Sequence, residues 1–263
     1  MINPFNLSDK NAMNTSHALC TSALALTLVA CGGSPASDPV PTPTPTPTLS
    51  VSSLQGIWRS PAGAANTLSA VALPDGKVWA SVSNASNMRV IKGSFAVQGN
   101  AYLASGKSFT LGASTSTSTS LTATVLEKTS LSGVISTGSL SENYSLAYQT
   151  RYDTAAALAD FAGAWSASLG PGTVNWTVAT SGAITGTRTT GCTYAGQLSL
   201  RAEQKAVVDA VVTETCAGAV TQLSGVAVKS EDKTGISMLL TNTDDSAAVA
   251  VNLANSQLAQ IAL

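Results

Sequence analysis

Histidine is all but missing. The 263 residues contain one, His17, so everything downstream of it must work without imidazole. That removes Ser-His-Asp and Cys-His catalysis, imidazole-ligated zinc and His-ligated haem. Charge is also scarce, at 10% of residues with a net charge of −1, and no basic stripe occurs. Nucleic acid and acidic membrane surfaces are therefore poor electrostatic partners, and no nucleic acid is expected. Aromatic residues make up 5%. The apolar and small-residue run over 18–30 falls short of the roughly 20 residues that a membrane-spanning helix needs. Four cysteines are present, Cys20, Cys31, Cys192 and Cys216, with no Cys-x-x-Cys pair to suggest dithiol redox chemistry or a zinc site.

What is present begins with Leu28-Val29-Ala30-Cys31 followed by Gly32-Gly33-Ser34. This stretch resembles a bacterial lipobox. The resemblance implies a signal peptide over 1–30, cleavage before Cys31, and a diacylglycerol and an N-acyl chain attached covalently to Cys31; no other cofactor is expected. Several acyl chains suffice for stable anchoring without a protein hydrophobic belt. Gly32 rather than Asp after Cys31 implies, by likeness to enterobacterial sorting, the outer membrane. Residues 31–50 then form the lipidated Cys and a linker whose core, Pro35 to Thr48, reads PASDPVPTPTPTPT. Alternating proline holds such a tract in extended polyproline II, reaching about 40 Å at about 3.1 Å per residue.

After Ser50 the chain breaks into short apolar-alternating runs rich in Val, Thr, Ile, Leu and Ala, and helical periodicity is nearly absent. In the second half these runs place strands near 163–169, 173–180, 183–188, 191–200, 207–214, 219–229, 235–241 and 247–253, with turn residues such as Ser181-Gly182 between them. Eight short consecutive strands suit an up-and-down barrel, which removes sheet edges by closing on itself. Strands shorter than about ten residues and few aromatics argue against a barrel inserted in the outer membrane.

The first half repeats the plan. Leu54-Gln-Gly56-Ile-Trp58 matches Phe161-Ala-Gly163-Ala-Trp165, Pro74-Asp75-Gly76 stands where the second half has Ser181-Gly182, and Leu131-Ser-Gly133-Val-Ile135 parallels Leu223-Ser-Gly225-Val-Ala227. Paired landmarks of this kind point to tandem domains: a first barrel over 51–150, a connection over 151–160 with a helical turn near Ala155 to Leu158, and a second barrel over 161–263. Gly-x-Trp opening a short-stranded barrel resembles the calycin superfamily, where the Trp plugs one barrel end. The larger pattern of lipobox, Pro/Thr stalk, Gly-x-Trp and Gly191-Cys-Thr-Tyr-x-Gly196 resembles uncharacterised betaproteobacterial outer-membrane lipoproteins. In layout it is more distantly similar to transferrin-binding protein B-type barrels. All four Trp residues, 58, 79, 165 and 176, are expected to be core or plug residues.

With Cys20 in the signal and Cys31 acylated, Cys192 and Cys216 remain for each other. They lie symmetrically about Gln204, so a hairpin centred there brings them opposite, and an oxidising compartment lets a disulfide persist. The same register puts Glu214 opposite Tyr194 on a face shared with Leu198, Leu200, Val208, Ala210 and Val212. Tyr194 and Glu214 could orient a ligand inside the barrel; the alternative is that Glu214 sits at the rim and reaches water. Other carboxylates open to acid–base work are Asp153, Asp160, Glu203 and Asp209, none placed by a recognisable motif. Gly106-Lys107-Ser108 is a permissive P-loop match, rejected because a strand rather than a helix follows it. Ser114 to Ser120, alternating Ser and Thr, reads as an edge strand or loop. The functional expectation is a non-enzymatic envelope lipoprotein, partnered by the membrane through its anchor and by an envelope or extracellular protein. The first alternative is a calycin-like carrier of a small apolar ligand in a barrel cavity, and the second, ranked below it, is a carboxylate-dependent envelope enzyme.

Overall fold

Alternating apolar and polar residues bury one face of a strand and solvate the other, and a strand of this kind becomes stable only when its neighbours cover both edges. The computed structural model describes residues 49–84, 87–113 and 115–256, and these satisfy that demand by closing two sheets. His17, Cys20, Cys31 and the Pro/Thr tract lie outside the described residues.

The first barrel contains β1 (Gly56–Arg59), β2 (Thr67–Ala72), β3 (Lys77–Ser83), β4 (Met88–Gln98), β5 (Ala101–Thr110), β6 (Ser116–Leu126), β7 (Ser130–Thr137) and β8 (Leu140–Tyr148). Each strand pairs antiparallel with the next, and Trp58 opposite Tyr148 closes β1 on β8. The second contains β9 (Gly163–Leu169), β10 (Gly172–Val178), β11 (Ala183–Arg188), β12 (Thr193–Leu200), β13 (Val208–Cys216), β14 (Ala219–Lys229), β15 (Gly235–Asn242) and β16 (Ala248–Asn255). It closes where Trp165 and Ser166 meet Asn255 and Ala254. The fold is therefore all-β, two tandem eight-stranded antiparallel barrels.

The duplication is visible in atomic detail. A 3₁₀ turn, Val51–Leu54 or Leu158–Phe161, precedes each first strand and buries its last side chain in the barrel end. The carbonyl of that last residue accepts the indole N–H of the following Gly-x-Trp: Trp58 Nε1 to Leu54 O and Trp165 Nε1 to Phe161 O, both 2.9 Å. The second hairpin matches too. Gly76 and Gly182 turn at φ +86° and +85°, a conformation that glycine reaches without strain, and their carbonyls accept from Phe95 N and Leu198 N. The Leu-Ser-Gly pair is not equivalent, however: Gly133 lies on the seventh strand of its barrel and Gly225 on the sixth. The helical turn expected near Ala155 is displaced, lying at Thr150–Asp153 and Leu158–Phe161 on either side of it.

Both barrel interiors are filled with side chains, from Trp58, Ile91, Phe95, Leu121 and Leu146 in the first to Trp165, Val174, Leu198, Met238 and Leu240 in the second. An outer-membrane barrel has the opposite arrangement, apolar outside and polar within. Strand length does not make that distinction here, since β4, β6 and β14 each run to 11 residues. Among the described residues no helix is long and apolar enough to cross a membrane.

A third apolar cluster lies between the barrels: Ile57, Val71, Leu73 and Trp79 from the outer face of β1–β3, Tyr152 from the connection, and Val207, Val226 and Val228 from the second barrel. Trp79 is buried, as expected of a core residue, but in this cluster and not inside a barrel, because its neighbours Val78 and Ala80 face inward and it faces out. Lys92 stands 5.1 Å above its ring centroid and reaches Asp245 Oδ1 in the β15–β16 turn at 2.7 Å. Of Ser114 to Ser120, expected as an edge strand or loop, Ser114 is outside the described residues and Ser116 to Ser120 open β6, which is paired on both sides because barrel closure leaves no edge. Gly106-Lys107-Ser108 lies within β5, with β6 following.

Candidate ligand site at the mouth of the second barrel

The hairpin of β12 and β13 turns about Gln204, itself in the left-handed region at φ +49°. Its register brings Thr193 opposite Thr215 and Tyr194 opposite Glu214, and Cys192 and Cys216 are joined by a disulfide with Cα atoms 4.3 Å apart. Both sulfurs and a Glu214 oxygen lie within 4.8 Å of one another, yet sulfurs bonded to each other are not thiolates and offer no metal site in this state.

The Tyr194 hydroxyl donates to Glu214 Oε1 at 2.6 Å, so the two residues singled out from the sequence are brought together. Burial, reinforced by the Glu214 carboxylate, holds the Tyr194 phenol above its ordinary value of 10.0, so it remains a proton donor near neutrality. Glu214 is half-buried, at the level where the barrel interior meets solvent. Leu200, read as sharing this inner face, is 48% exposed because alternation fixes which face a residue takes and not how far along the barrel it lies.

One cross-strand row carries the site: Trp165 opposite Trp176, Trp176 opposite Gly186, Gly186 opposite Tyr194, and Tyr194 opposite Glu214. Gly186 makes the row possible. A Cβ there would strike Trp176 Cδ1, and without it the Trp176 and Tyr194 rings approach to 5.3 Å between centroids at 56°. Two residues further along the same face, Arg188 donates Nη2 to the carbonyl of Leu169. Trp176 Nε1 and Arg188 Nε are buried with no partner among the described residues, and a buried unsatisfied donor costs about 1–3 kcal/mol.

Trp176, Arg188, Tyr194 and Glu214 line a cavity of about 610 Å³ whose apolar wall includes Leu169, Leu223, Leu240 and Val251, and which Met88 and Leu111 of the first barrel also line. Volumes of this size accommodate small-molecule ligands. The first barrel's mouth is built otherwise: Arg89 and Glu142, projecting inward from β4 and β8, form an ion pair across it. Sequence reasoning missed Arg188, although its place two residues beyond Gly186 put it on the inner face. Trp176 was placed in the core, correctly, but its unpaired indole N–H has no signature in sequence.

The other carboxylates singled out from the sequence are held in structural contacts. Asp153 contacts Lys128, Lys205 and Tyr148; Asp160 lies 3.6 Å from Lys233; Glu203 and Asp209 share Arg201. Comparison with protein-family models, curated proteins and solved structures finds no match.

Proposed function

We propose that the chain is an outer-membrane lipoprotein, tethered through acylated Cys31, whose paired barrels act in binding and not in catalysis. The location rests on the lipobox-like Leu28 to Cys31 and the Pro/Thr stalk that follows it. What supports binding over catalysis is the placement of the carboxylates: Asp153, Asp160, Glu203, Asp209 and Glu214 are each engaged by a Lys, Arg or Tyr partner. An acid–base pair needs a carboxylate free to exchange its proton with a substrate. The partner is an envelope or extracellular protein reached by a domain held off the bilayer on its stalk.

The decisive experiment is metabolic labelling with radioactive palmitate in a bacterial host. Incorporation that disappears in Cys31→Ser, together with release of that variant from the membrane fraction, is the expected result. Unlabelled wild-type protein, or a variant that still partitions with membranes, overturns the proposal.

The cavity of about 610 Å³ favours a second reading, a carrier of a small apolar ligand in the second barrel. Its two unpaired donors, Trp176 Nε1 and Arg188 Nε, ask for a ligand with one acceptor group on an apolar body. Native mass spectrometry of protein purified from its own host tests this, since a carrier arrives with bound mass and an empty module does not.

A further inference from the structure

Outside both barrels, two cross-strand rows face each other along the seam between them. On the first barrel Arg59 pairs with Ser69 and Ser69 with Ser81; on the second Val228 pairs with Ser237 and Ser237 with Asn252. These residues line a groove of about 270 Å³ whose floor is apolar, with Ile57, Val71, Val226 and Leu239. An adjoining cavity of about 470 Å³ shares Arg59, Arg151, Val228 and Ser237 with it and opens toward the Glu231-Asp232 turn.

The charges in this groove are unbalanced. Arg151 enters from the connection, donates Nη1 to Lys229 O at 2.9 Å, and leaves Nε buried without a partner among the described residues. Arg59 is exposed, and among the described residues its one hydrogen bond is Nε to Ser69 Oγ at 3.4 Å. Among the described residues neither guanidinium forms an ion pair. The nearby Asp232 is turned into its own loop, accepting from Ser230 Oγ and Thr234 N. Burial, and then the proximity of Arg59, disfavour the charged form of Arg151, and the Glu231 carboxylate offsets this only in part. Two like charges brought together with neither held in an ion pair cost stability, and the cost is relieved when an anion enters. Arginine is the side chain whose planar fork suits a carboxylate or phosphate, and serine hydroxyls supply further neutral donors and acceptors.

We infer that the seam between the barrels is a binding site for an oxyanion carried on a small polyhydroxylated ligand. Arg59 and Arg151 hold the anionic group, and the Ser69, Ser81 and Ser237 hydroxyls line the path of the ligand body. The site lies outside the barrel cavity, and it stands whether or not Cys31 is acylated. The same chemistry is offered by a free acidic sugar and by a glycerophospholipid headgroup, so the test must separate them.

The full chain in mild detergent is titrated by calorimetry at low ionic strength with inorganic phosphate, glucuronate and glucose 6-phosphate. Its flotation with phosphatidylglycerol vesicles is compared with that on phosphatidylcholine, using Cys31→Ser protein so that the anchor does not contribute. The expected result is saturable binding of at least one anionic probe, weakened at least tenfold in Arg59→Gln. Arg59 is exposed, so that variant should fold normally. Arg151→Lys, which keeps the charge and loses the fork, should weaken binding as well. Sugar-anion binding without selective flotation assigns a soluble ligand, and selective flotation lost in Arg59→Gln assigns the headgroup. No binding to any probe, or equal binding by Arg59→Gln, overturns the inference.

Discussion

Asp153 Oδ1 accepts from Lys205 Nζ at 3.0 Å, which ties the connection to the turn between β12 and β13 of the second barrel. The same carboxylate accepts from Lys128 Nζ at 3.1 Å and from the Tyr148 hydroxyl at 3.0 Å, both of the first barrel. One side chain thus couples three segments. The Lys205 hydrogen bond, followed by those from Lys128 and Tyr148, holds the Asp153 carboxyl at about 2, against an ordinary 3.8. A carboxyl depressed by folding contributes stability that is fully present above 3.8 and is lost as pH falls through about 2. Asp153 is partly exposed, so screening limits each pair to about 1 kcal/mol or less. The urea midpoint of Asp153→Asn should therefore lie below that of the wild type at pH 6 and converge on it near pH 2. A constant difference across that range would mean that the ion pairs contribute nothing.

The Cys192–Cys216 disulfide closes a loop spanning a sequence separation of 24 beside Glu214. In the chain-entropy model a loop of this size stabilises the fold by roughly 3 kcal/mol. The double variant Cys192→Ala/Cys216→Ala should lose about that much in chemical unfolding, and dithiothreitol should lower the wild-type midpoint to match. An unchanged midpoint under reduction would show that the hairpin pairing alone holds the barrel mouth.

Much of this hairpin is legible in the sequence, because two cysteines equidistant from Gln204 fix the register, and register then places Tyr194 against Glu214. The strands follow from alternation, and the expected 163–169, 183–188 and 219–229 coincide with β9, β11 and β14. Depth along the barrel is not legible, as Leu200 demonstrates. Nor is the seam, although it leaves a trace: β1 to β3 carry successive buried residues such as Ile57-Trp58 and Val78-Trp79-Ala80 where alternation should break them. A strand apolar on both faces is covered on both faces, and that reading would have placed the buried Trp79 in a core outside the barrel. Arg59 and Arg151 lie far apart in sequence and are brought together where β1 closes on β8 and the turn that follows it, while the second barrel supplies the opposite wall of the groove.

The two plugging tryptophans should behave alike. Trp58→Phe and Trp165→Phe each remove an indole N–H from a buried carbonyl, Leu54 O or Phe161 O, in the same i to i−4 geometry. Leaving a buried acceptor unpaired costs about 1–3 kcal/mol, and the smaller ring adds a void. Thermal melts should therefore show comparable losses for both variants. A large loss for one and none for the other would break the structural equivalence of the barrels.

Gly186 decides whether the mouth row of the second barrel can exist. It stands between Trp176 and Tyr194 on β11, and a methyl group there would meet Trp176 Cδ1 and the Asn175 carbonyl. Neither the backbone nor a ring that is 3% exposed can move aside freely. Overpacking of this kind costs about 1–3 kcal/mol. Gly186→Ala should therefore lower the melting temperature and displace Trp176 toward solvent, which shifts its fluorescence emission to the red. The disturbance should stay local, leaving the first barrel and its Arg89–Glu142 pair intact. An alanine variant with unaltered emission and stability would mean that the indole does not pack on position 186, and the close approach of Trp176 to Tyr194 would then have to be abandoned along with the ligand site built on it.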